Sequence, residues 1–340
     1  MKALVYTGPR QSAYREVANP EPSPGEALVR IAAVGLCGSD MHAYLGHDAR
    51  RPAPLVLGHE AVGTIEAVGE GADARIGTRV AINPLVTCQT CEDCRAGREN
   101  LCGNREIISM PPREGAFAEL IAVPTRNLVA IPDDVPFARA VAIEPLACGW
   151  HAVGLARRTA IEPPGETRVL VIGGGAIGIG AALCARARGH TDITVSEPSE
   201  TRRAAVERAG FRALNPDMAA REAMGAHLVV DAVGFGPTRD AAFALVRSGG
   251  TIVHIGLGSG EGGMDARAAT LREIAFQGAY TYTADEFRET AGALFAGQLG
   301  PIDWAEQRAL KDGPSTLEEA ANGTLHAPKV VFVPSTSPAG

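Results

Sequence analysis

The sequence predicts an α/β protein of two domains, a mostly β first domain and a second domain built on a doubly wound parallel sheet. Its 340 residues exceed the usual length of one compact domain. Up to about residue 145 the chain reads as short strands between turns, as in 27–34 and 61–68. From there to about residue 283, apolar strands alternate with helices, which is typical of βαβ units and a parallel sheet.

The elements of the second domain follow in a regular order. Residues 168–172 form a continuous apolar run, as expected for a strand buried on both faces. We therefore expect a first domain over 1–145 and a second domain over 146–284, with 285–340 returning to complete the first. The predicted elements after the first strand are a helix at 176–188, a strand at 192–196, a helix at 200–209, a strand at 227–231, a helix at 237–246 and a strand at 251–255.

Composition and charge exclude several classes of protein. The formal net charge is −7 and the basic residues are scattered, which argues against a nucleic acid or an anionic membrane surface as partner. The apolar runs are too short to span a membrane, and the stretch after Met1 has no signal-peptide pattern. We therefore expect a cytoplasmic protein, in which thiols stay reduced.

A glycine-rich segment directly follows the strand at 168–172 and opens the next helix. This context favours a dinucleotide-binding loop over a chance glycine-rich turn, since the phosphates of the cofactor bind at a helix N-terminus. Glu197, at the end of the next strand, is placed to bind a ribose diol and favours NAD, whereas Arg202 behind it leaves NADP open. The segment consists of Gly173, Gly174, Gly175, Ala176, Ile177 and Gly178.

Four of the seven cysteines fall within one hydrophilic loop. In a reducing compartment such a cluster indicates metal binding and not cross-linking. Four thiolates can close a tetrahedron around zinc and leave no open position, which makes a structural site the preferred interpretation. An iron–sulfur cluster and four unrelated thiols are the alternatives. The cysteines are Cys88, Cys91, Cys94 and Cys102.

A second constellation precedes this loop: Cys37-Gly38-Ser39-Asp40, then Gly58-His59-Glu60-x2-Gly63-x5-Gly69-x2-Ala72. With the four-cysteine loop and the glycine-rich segment, the order and spacing resemble the zinc-containing medium-chain alcohol dehydrogenase family over nearly the whole chain. Glu144-Pro145-Leu146 looks like the branch of sorbitol, other polyol and threonine dehydrogenases. The resemblance implies a GroES-like catalytic domain and a Rossmann domain.

The resemblance also implies a catalytic zinc, and hence two zinc ions per chain. Cys37 and His59 would be ligands, and Glu60 and Glu144 would be ligands or would lie just behind them. One thiolate, one imidazole and carboxylates make an open zinc site chemically reasonable. Taken singly, Cys37 could be a core thiol, His59 a turn histidine and Glu144 a helix-start carboxylate.

The activity implied is hydride transfer from a secondary alcohol of a polyol, sugar or sugar acid to NAD(P). Ser39 and His42 match the positions that pass the hydroxyl proton to solvent. Three residues are candidates for the substrate pocket: Tyr44, Arg113 and Phe117.

Two alternatives remain from the sequence. One is a threonine-like amino-alcohol dehydrogenase, and the other is a catalytically idle dinucleotide-binding redox sensor. The partners expected are a small-molecule alcohol and further copies of the chain in a homodimer or homotetramer.

Overall fold

Two units, each with its own sheets, account for the residues that the computed structural model describes, which are 1–156, 164–302 and 304–334. The first unit comprises residues 1–144 and the chain from 305 onward, and the second comprises 145–304. The strands are β1 (Lys2–Gly8), β2 (Gln11–Glu16), β3 (Glu26–Gly35), β4 (Leu55–Val56), β5 (Glu60–Val68), β6 (Arg79–Ile82), β7 (Leu85–Val86), β8 (Glu106–Ile107), β9 (Leu120–Pro124), β10 (Leu128–Ala130), β11 (Arg168–Ile172), β12 (Asp192–Ser196), β13 (Arg212–Leu214), β14 (Ala226–Asp231), β15 (Val246–His254), β16 (Ala275–Gly278), β17 (Ala305–Ala309) and β18 (Lys329–Val333). The helices are α1 (Gly38–Tyr44), α2 (Glu92–Arg95), α3 (Phe137–Ala140), α4 (Ile143–Ala156), α5 (Ala176–Ala187), α6 (Glu200–Arg208), α7 (Pro216–Glu222), α8 (Gly236–Leu245), α9 (Ala266–Leu271), α10 (Ala284–Phe295) and α11 (Gly313–Ala321).

The first unit is organised by a seven-stranded sheet in the order β10-β6-β5-β3-β18-β17, with β9 also pairing with β3. Alternate residues of β3 are buried, among them Val29 and Ile31, as a strand with one face on the core requires. Strand β18 pairs antiparallel with β3 and parallel with β17. Strands β17 and β18, which come last in the chain, therefore complete the sheet that contains β3.

The second unit is built on six parallel strands in the order β13-β12-β11-β14-β15-β16. Four of the five residues of β11 are buried. This confirms the continuous apolar strand that was predicted for the interior of the parallel sheet. The strand order reverses between β11 and β14, and ligands of doubly wound sheets bind at the carboxyl ends beside such a reversal. The predicted fold class is confirmed.

The second boundary between the units differs from the one expected at residue 284. The second unit continues to residue 304 and includes α10, whose buried face carries Phe287, Ala291 and Leu294. The strand–helix alternation that marked the domain in the sequence ends earlier because α10 is not followed by another strand of the parallel sheet.

Candidate active site

Cys37, His59 and Glu60 come together where β3 and β5 pair. The last residue of β3, Gly35, lies opposite Glu60, the first residue of β5. Cys37 follows at the N-cap of α1, and one ligand atom from each of the three side chains lies within 4.8 Å of the others. A thiolate, an imidazole and a carboxylate are a ligand set that zinc accepts in open sites, so these residues fit a catalytic zinc.

Asp40 holds the imidazole of His59 in place. Its side chain is fully buried, and Oδ1 lies 3.3 Å from His59 Nδ1 and accepts the Gly58 N–H at 3.2 Å. Its other oxygen, Oδ2, accepts the Cys37 N–H at 3.1 Å. With Nδ1 engaged, Nε2 is the ring nitrogen left for a metal, an orientation that outer carboxylates commonly impose on metal-binding histidines.

The electrostatics of this pair follow from its burial. Burial opposes the charge on His59, but the Asp40 carboxylate outweighs it and raises the pKa of His59 well above its usual value. Burial likewise opposes the charge on Asp40, and His59 together with Arg51 lowers the pKa of Asp40 in spite of it. Asp40 is therefore an anion that complements positive charge at His59, whether a proton or a metal supplies it.

Glu60 is paired with a lysine that the sequence analysis missed. Lys329, the first residue of β18, is buried, and its Nζ contacts both carboxylate oxygens of Glu60. Burial lowers the pKa of Lys329, but the negative charges of Glu60, Cys37 and Glu144 outweigh it and raise the pKa. The two residues are 269 positions apart, so no local spacing pointed to the pair. The one available signal was that a buried carboxylate needs a cation.

Glu144 lies in the first turn of α4 and is largely buried. Among the described residues, the group that could hold a metal here consists of Cys37, His59 and Glu60, without Glu144. The negative charge of Glu144 nevertheless contributes to the raised pKa of Lys329, which places Glu144 near the group.

The four-cysteine loop fits a closed zinc site. The four sulfur atoms lie within 4.8 Å of one another, with Cys88 Sγ 3.9 Å from Cys94 Sγ and 3.5 Å from Cys102 Sγ. Four zinc–sulfur bonds of 2.3 Å in a tetrahedron place the sulfurs about 3.8 Å apart. Hydrogen bonds from Thr90 and from the Cys91 N–H lower the pKa of Cys88 to about 5, which favours the thiolate form. No disulfide links the seven cysteines, all of which are in the described part of the chain.

The two residues predicted to pass a proton, Ser39 and His42, lie three positions apart on α1 and therefore on one face of the helix. Both are partly exposed. The buried Arg51 donates to the carbonyl oxygen of Ser39 at 2.6 Å and to that of Ser109 at 3.0 Å. The hydrogen bond to Ser39 holds the first turn of the helix, and the hydrogen bond to Ser109 anchors the Arg51 side chain.

The three residues predicted for the substrate pocket all make contacts within the first unit. Phe117 is fully buried and packs edge-to-face on Phe332, with ring centroids 5.2 Å apart. Tyr44 is 3% exposed, and its hydroxyl donates to the carbonyl of Arg10. Arg113 forms ion pairs with Glu26 and Glu106. The side chains of Phe117 and Tyr44 belong to the core of the first unit, and the Arg113 guanidinium is paired with two carboxylates. A role of these residues in a substrate pocket stays a prediction.

The glycine-rich segment joins β11 to α5 at the carboxyl edge of the parallel sheet. Gly173 has a φ of +104°, which favours glycine, and a Cβ on Gly178 would lie 1.8 Å from the Gly173 carbonyl oxygen. Among the described residues, and leaving aside the chain next to Gly175, no atom lies within 4 Å of a Cβ built on this N-cap residue of α5, so space is open on that side. Ala176 and Ile177 form the first turn of α5. The free N–H groups of that turn fit a phosphate.

Glu197 is buried at the end of β12 and is held by backbone donors. One oxygen accepts the Gly174 N–H at 2.7 Å and the other accepts the Ser199 N–H at 2.9 Å. It therefore ties the glycine-rich loop to the next loop along the sheet. Arg202 is exposed on α6, whereas Arg203 donates to the carbonyls of Glu197 and Pro198.

Comparison with known proteins agrees with this geometry. The alcohol dehydrogenase GroES-like domain matches residues 23–133, and the zinc-binding dehydrogenase domain matches residues 176–296. The chain is 35% identical over 309 residues to L-galactonate-5-dehydrogenase of Escherichia coli, covering 88% of each protein. It is 34% identical over 272 residues to sorbitol dehydrogenase of Bacillus subtilis, covering 76% of each. The solved structure of a putative zinc-binding dehydrogenase from Sinorhizobium meliloti, bound to NADP, superposes with a TM-score of 0.89 at 29% identity and covers 98% of this chain and 99% of that one.

These matches define an oxidoreductase that acts on CH–OH groups with a nicotinamide dinucleotide and carries zinc. The chain belongs to the zinc-containing medium-chain alcohol dehydrogenase family, in the branch of the polyol dehydrogenases. The resemblance seen in the sequence is confirmed. Within residues 1–156, 164–302 and 304–334, no helix has the length and apolar character needed to cross a membrane.

Proposed function

We propose that this chain oxidises a secondary alcohol of a polyol, a sugar or a sugar acid and transfers the hydride to NAD. The observation that carries the proposal is the convergence of Cys37, His59 and Glu60 in a chain whose relatives include dehydrogenases of L-galactonate and sorbitol. A sugar acid and a polyol share a secondary alcohol flanked by further hydroxyls, and this is the substrate class that we assign.

Two metal sites are assigned from the ligand sets. Cys37 and His59 would hold the catalytic zinc, with Glu60 and Glu144 beside it, and the four cysteines Cys88, Cys91, Cys94 and Cys102 would hold the structural zinc. A catalytic zinc supplies a Lewis acid that lowers the pKa of a bound alcohol toward neutrality. The contribution of the chain is to orient the ligands: Asp40 fixes the ring of His59 and, through the Cys37 N–H, the start of α1.

The hydroxyl proton needs a route to solvent, and α1 offers one. Ser39 Oγ would accept the proton from the alcohol, and His42, one turn further along the same face, would pass it outward. The ordinary pKa of histidine lies near neutrality and suits this task.

We propose NAD as the preferred cofactor. Its ribose diol would meet the Glu197 side chain, whose charge repels the 2′-phosphate of NADP. Because Glu197 is anchored by two backbone N–H groups, its carboxylate cannot readily swing away. Arg202 is exposed on the adjacent helix and is the residue through which NADP would be accepted.

We propose further that the protein is cytoplasmic and forms homodimers or homotetramers. Four thiolates on one zinc loop require a reducing compartment. The parallel sheet ends at β16, and a sheet edge is a surface on which a second copy can pair.

The test is to supply a panel of alcohol substrates with NAD or NADP and to measure the absorbance of the NADH or NADPH that forms. We expect turnover with polyols or sugar acids and NAD, weaker turnover with NADP, and none in Cys37→Ser. Turnover of L-threonine instead would establish the amino-alcohol alternative. Dinucleotide binding without turnover of any alcohol in the panel would support the redox sensor and contradict the proposal.

A further inference from the structure

Ser109 has a backbone conformation that is uncommon for its residue type. Its φ is +71°, in the left-handed region that glycine adopts without steric cost. Five non-glycine residues of the described chain have a positive φ, and Ser109 is the one among them that is buried. Strain of this kind persists only where the surrounding contacts enforce it, and it is frequent at functional sites. A glycine would avoid the strain, which indicates that the hydroxyl of Ser109 has a function of its own.

The hydroxyl of Ser109 faces the imidazole of His59. Its Oγ lies 3.4 Å from His59 Nδ1, the same nitrogen that lies 3.3 Å from Asp40 Oδ1. All three side chains are buried, and polar contacts are stronger in such surroundings than in water. A single Nδ1–H can be shared between the two oxygens. A ring held by two acceptors tilts less than a ring held by one, so the hydroxyl adds to the hold of the carboxylate.

The backbone of Ser109 is tied to the helix that begins after Cys37. Arg51 Nε donates to the Ser109 carbonyl oxygen at 3.0 Å, and a second nitrogen of the same guanidinium donates to the Ser39 carbonyl oxygen at 2.6 Å. Arg51 is itself buried. The side chain that holds the first turn of α1 therefore also holds the backbone from which the Ser109 hydroxyl reaches His59.

Ser109 also follows the strand pair that closes the four-cysteine loop. Strands β7 and β8 pair Leu85 with Ile107, and the Ile108 N–H donates to the Pro84 carbonyl oxygen at 3.0 Å. The four cysteines lie between these two strands in the chain. This pairing sets where the chain leaves the loop, and Ser109 comes two positions after β8. The loop therefore ends beside the residue that faces His59.

We propose that Ser109 is a positioning residue for His59: its hydroxyl and the Asp40 carboxylate together hold the imidazole in the orientation that presents Nε2 to a metal. The left-handed backbone at Ser109 is retained because it directs the hydroxyl to Nδ1. The inference rests on the proposed metal site at Cys37 and His59. It gives the chain that leaves the four-cysteine loop a role at the other metal site.

The experiment compares Ser109→Ala with Ser109→Gly. Both variants lack the hydroxyl, but only Ser109→Gly relieves the strain of the positive φ. Each protein is loaded with Co²⁺ at the Cys37–His59 site, with zinc left on the four-cysteine loop, and transfer of cobalt to a chelator gives its dissociation rate. Loss of a partner that orients a metal-binding histidine weakens the site, so we expect cobalt release about tenfold faster in both variants. Ser109→Gly should melt at a higher temperature than Ser109→Ala, because its backbone is not strained.

Equal acceleration of cobalt release in the two variants, at different melting temperatures, would assign the effect to the hydroxyl and support the inference. Wild-type release in Ser109→Gly would overturn it. Release rates that follow the melting temperatures would also overturn it, because loosened packing would then be the cause. If Ser109→Ala does not fold, Ser109→Gly decides alone, since its cobalt release must be faster than that of wild type.

Ser12→Ala is the matched control. It removes a buried hydroxyl of the first unit that has no hydrogen-bond partner among the described residues, so cobalt release should stay at the wild-type rate. Equal acceleration by Ser12→Ala would contradict a specific role of Ser109. Failure of the wild-type protein to bind cobalt outside the cysteine loop would refute the proposed metal site itself, and the inference with it.

Discussion

Two glycines of the dinucleotide loop serve different purposes at the level of single residues. A methyl group at position 178 would lie 1.8 Å from the Gly173 carbonyl oxygen, whereas one at position 175 would have no atom of the described residues within 4 Å apart from the adjoining chain. Gly178 is therefore required by the fold of the loop. Gly175 has an ordinary φ of −81°, so its lack of a side chain is useful only if a ligand comes close.

This difference predicts opposite outcomes for matched substitutions. Gly175→Ala should melt at the wild-type temperature but bind NADH at least about tenfold more weakly, because the methyl group meets the pyrophosphate. Gly178→Ala should lower the melting temperature because of overpacking. Thermal melts and NADH fluorescence titrations measure both effects. Wild-type NADH affinity in Gly175→Ala would refute the placement of the pyrophosphate.

The sequence grouped together those residues whose partners are near in the chain or belong to a spaced motif. Cys37, His59 and the four cysteines of the loop converge as expected. Lys329 was missed because its partner is 269 residues away. Phe117 and Tyr44 pack into the core of the first unit, which could not be predicted from their nearness to a motif.

At the level of elements, α10 begins with a capping box. Thr283 accepts the Glu286 N–H, and Glu286 Oε2 accepts the Thr283 N–H at 2.9 Å and lies 2.8 Å from His151 Nδ1. Burial raises the pKa of Glu286, but the hydrogen bonds of His151 and Thr283 outweigh it and lower the pKa.

The capping box predicts a pH-dependent stability difference. Because the pKa of Glu286 is lower in the folded chain, its ionised form stabilises the fold above the unfolded pKa of about 4.3. This contribution is lost as the pH falls through the folded-state pKa. Glu286→Gln keeps a cap but loses the charge, so it should melt a few degrees below wild type at pH 7. Melting curves at several pH values should show this difference shrinking below pH 4, and a difference independent of pH would contradict the role of the charge.

The central elements of the parallel sheet were predictable from the sequence because they are buried on both faces. Strands β11 and β12 have the predicted bounds. Strands β13 and β16 were not predicted, since they are short edge strands of three and four residues with exposed positions. An edge strand needs no continuous apolar run, so composition gives little indication of it.

Over the whole molecule, the seven cysteines form no disulfides and instead fall into groups with different surroundings. Four form a compact sulfur cluster that fits a closed zinc site, and Cys37 joins His59 and Glu60 in a mixed group. Cys184 is buried on α5 and donates to the carbonyl of Leu146. The family membership accounts for the zinc, and the geometry separates a group of four thiols on one loop from a group that mixes a thiol, an imidazole and a carboxylate.

The most direct test of this account is the zinc content of the purified chain, compared with Cys37→Ser and Cys94→Ser. We predict two zinc ions in wild type. Cys37→Ser should hold one zinc, keep the wild-type melting temperature and lose turnover. Cys94→Ser should also lose a zinc but melt at a lower temperature, because its loop is held by the metal. A single zinc ion per wild-type chain, unaffected by Cys37→Ser, would contradict the catalytic metal site.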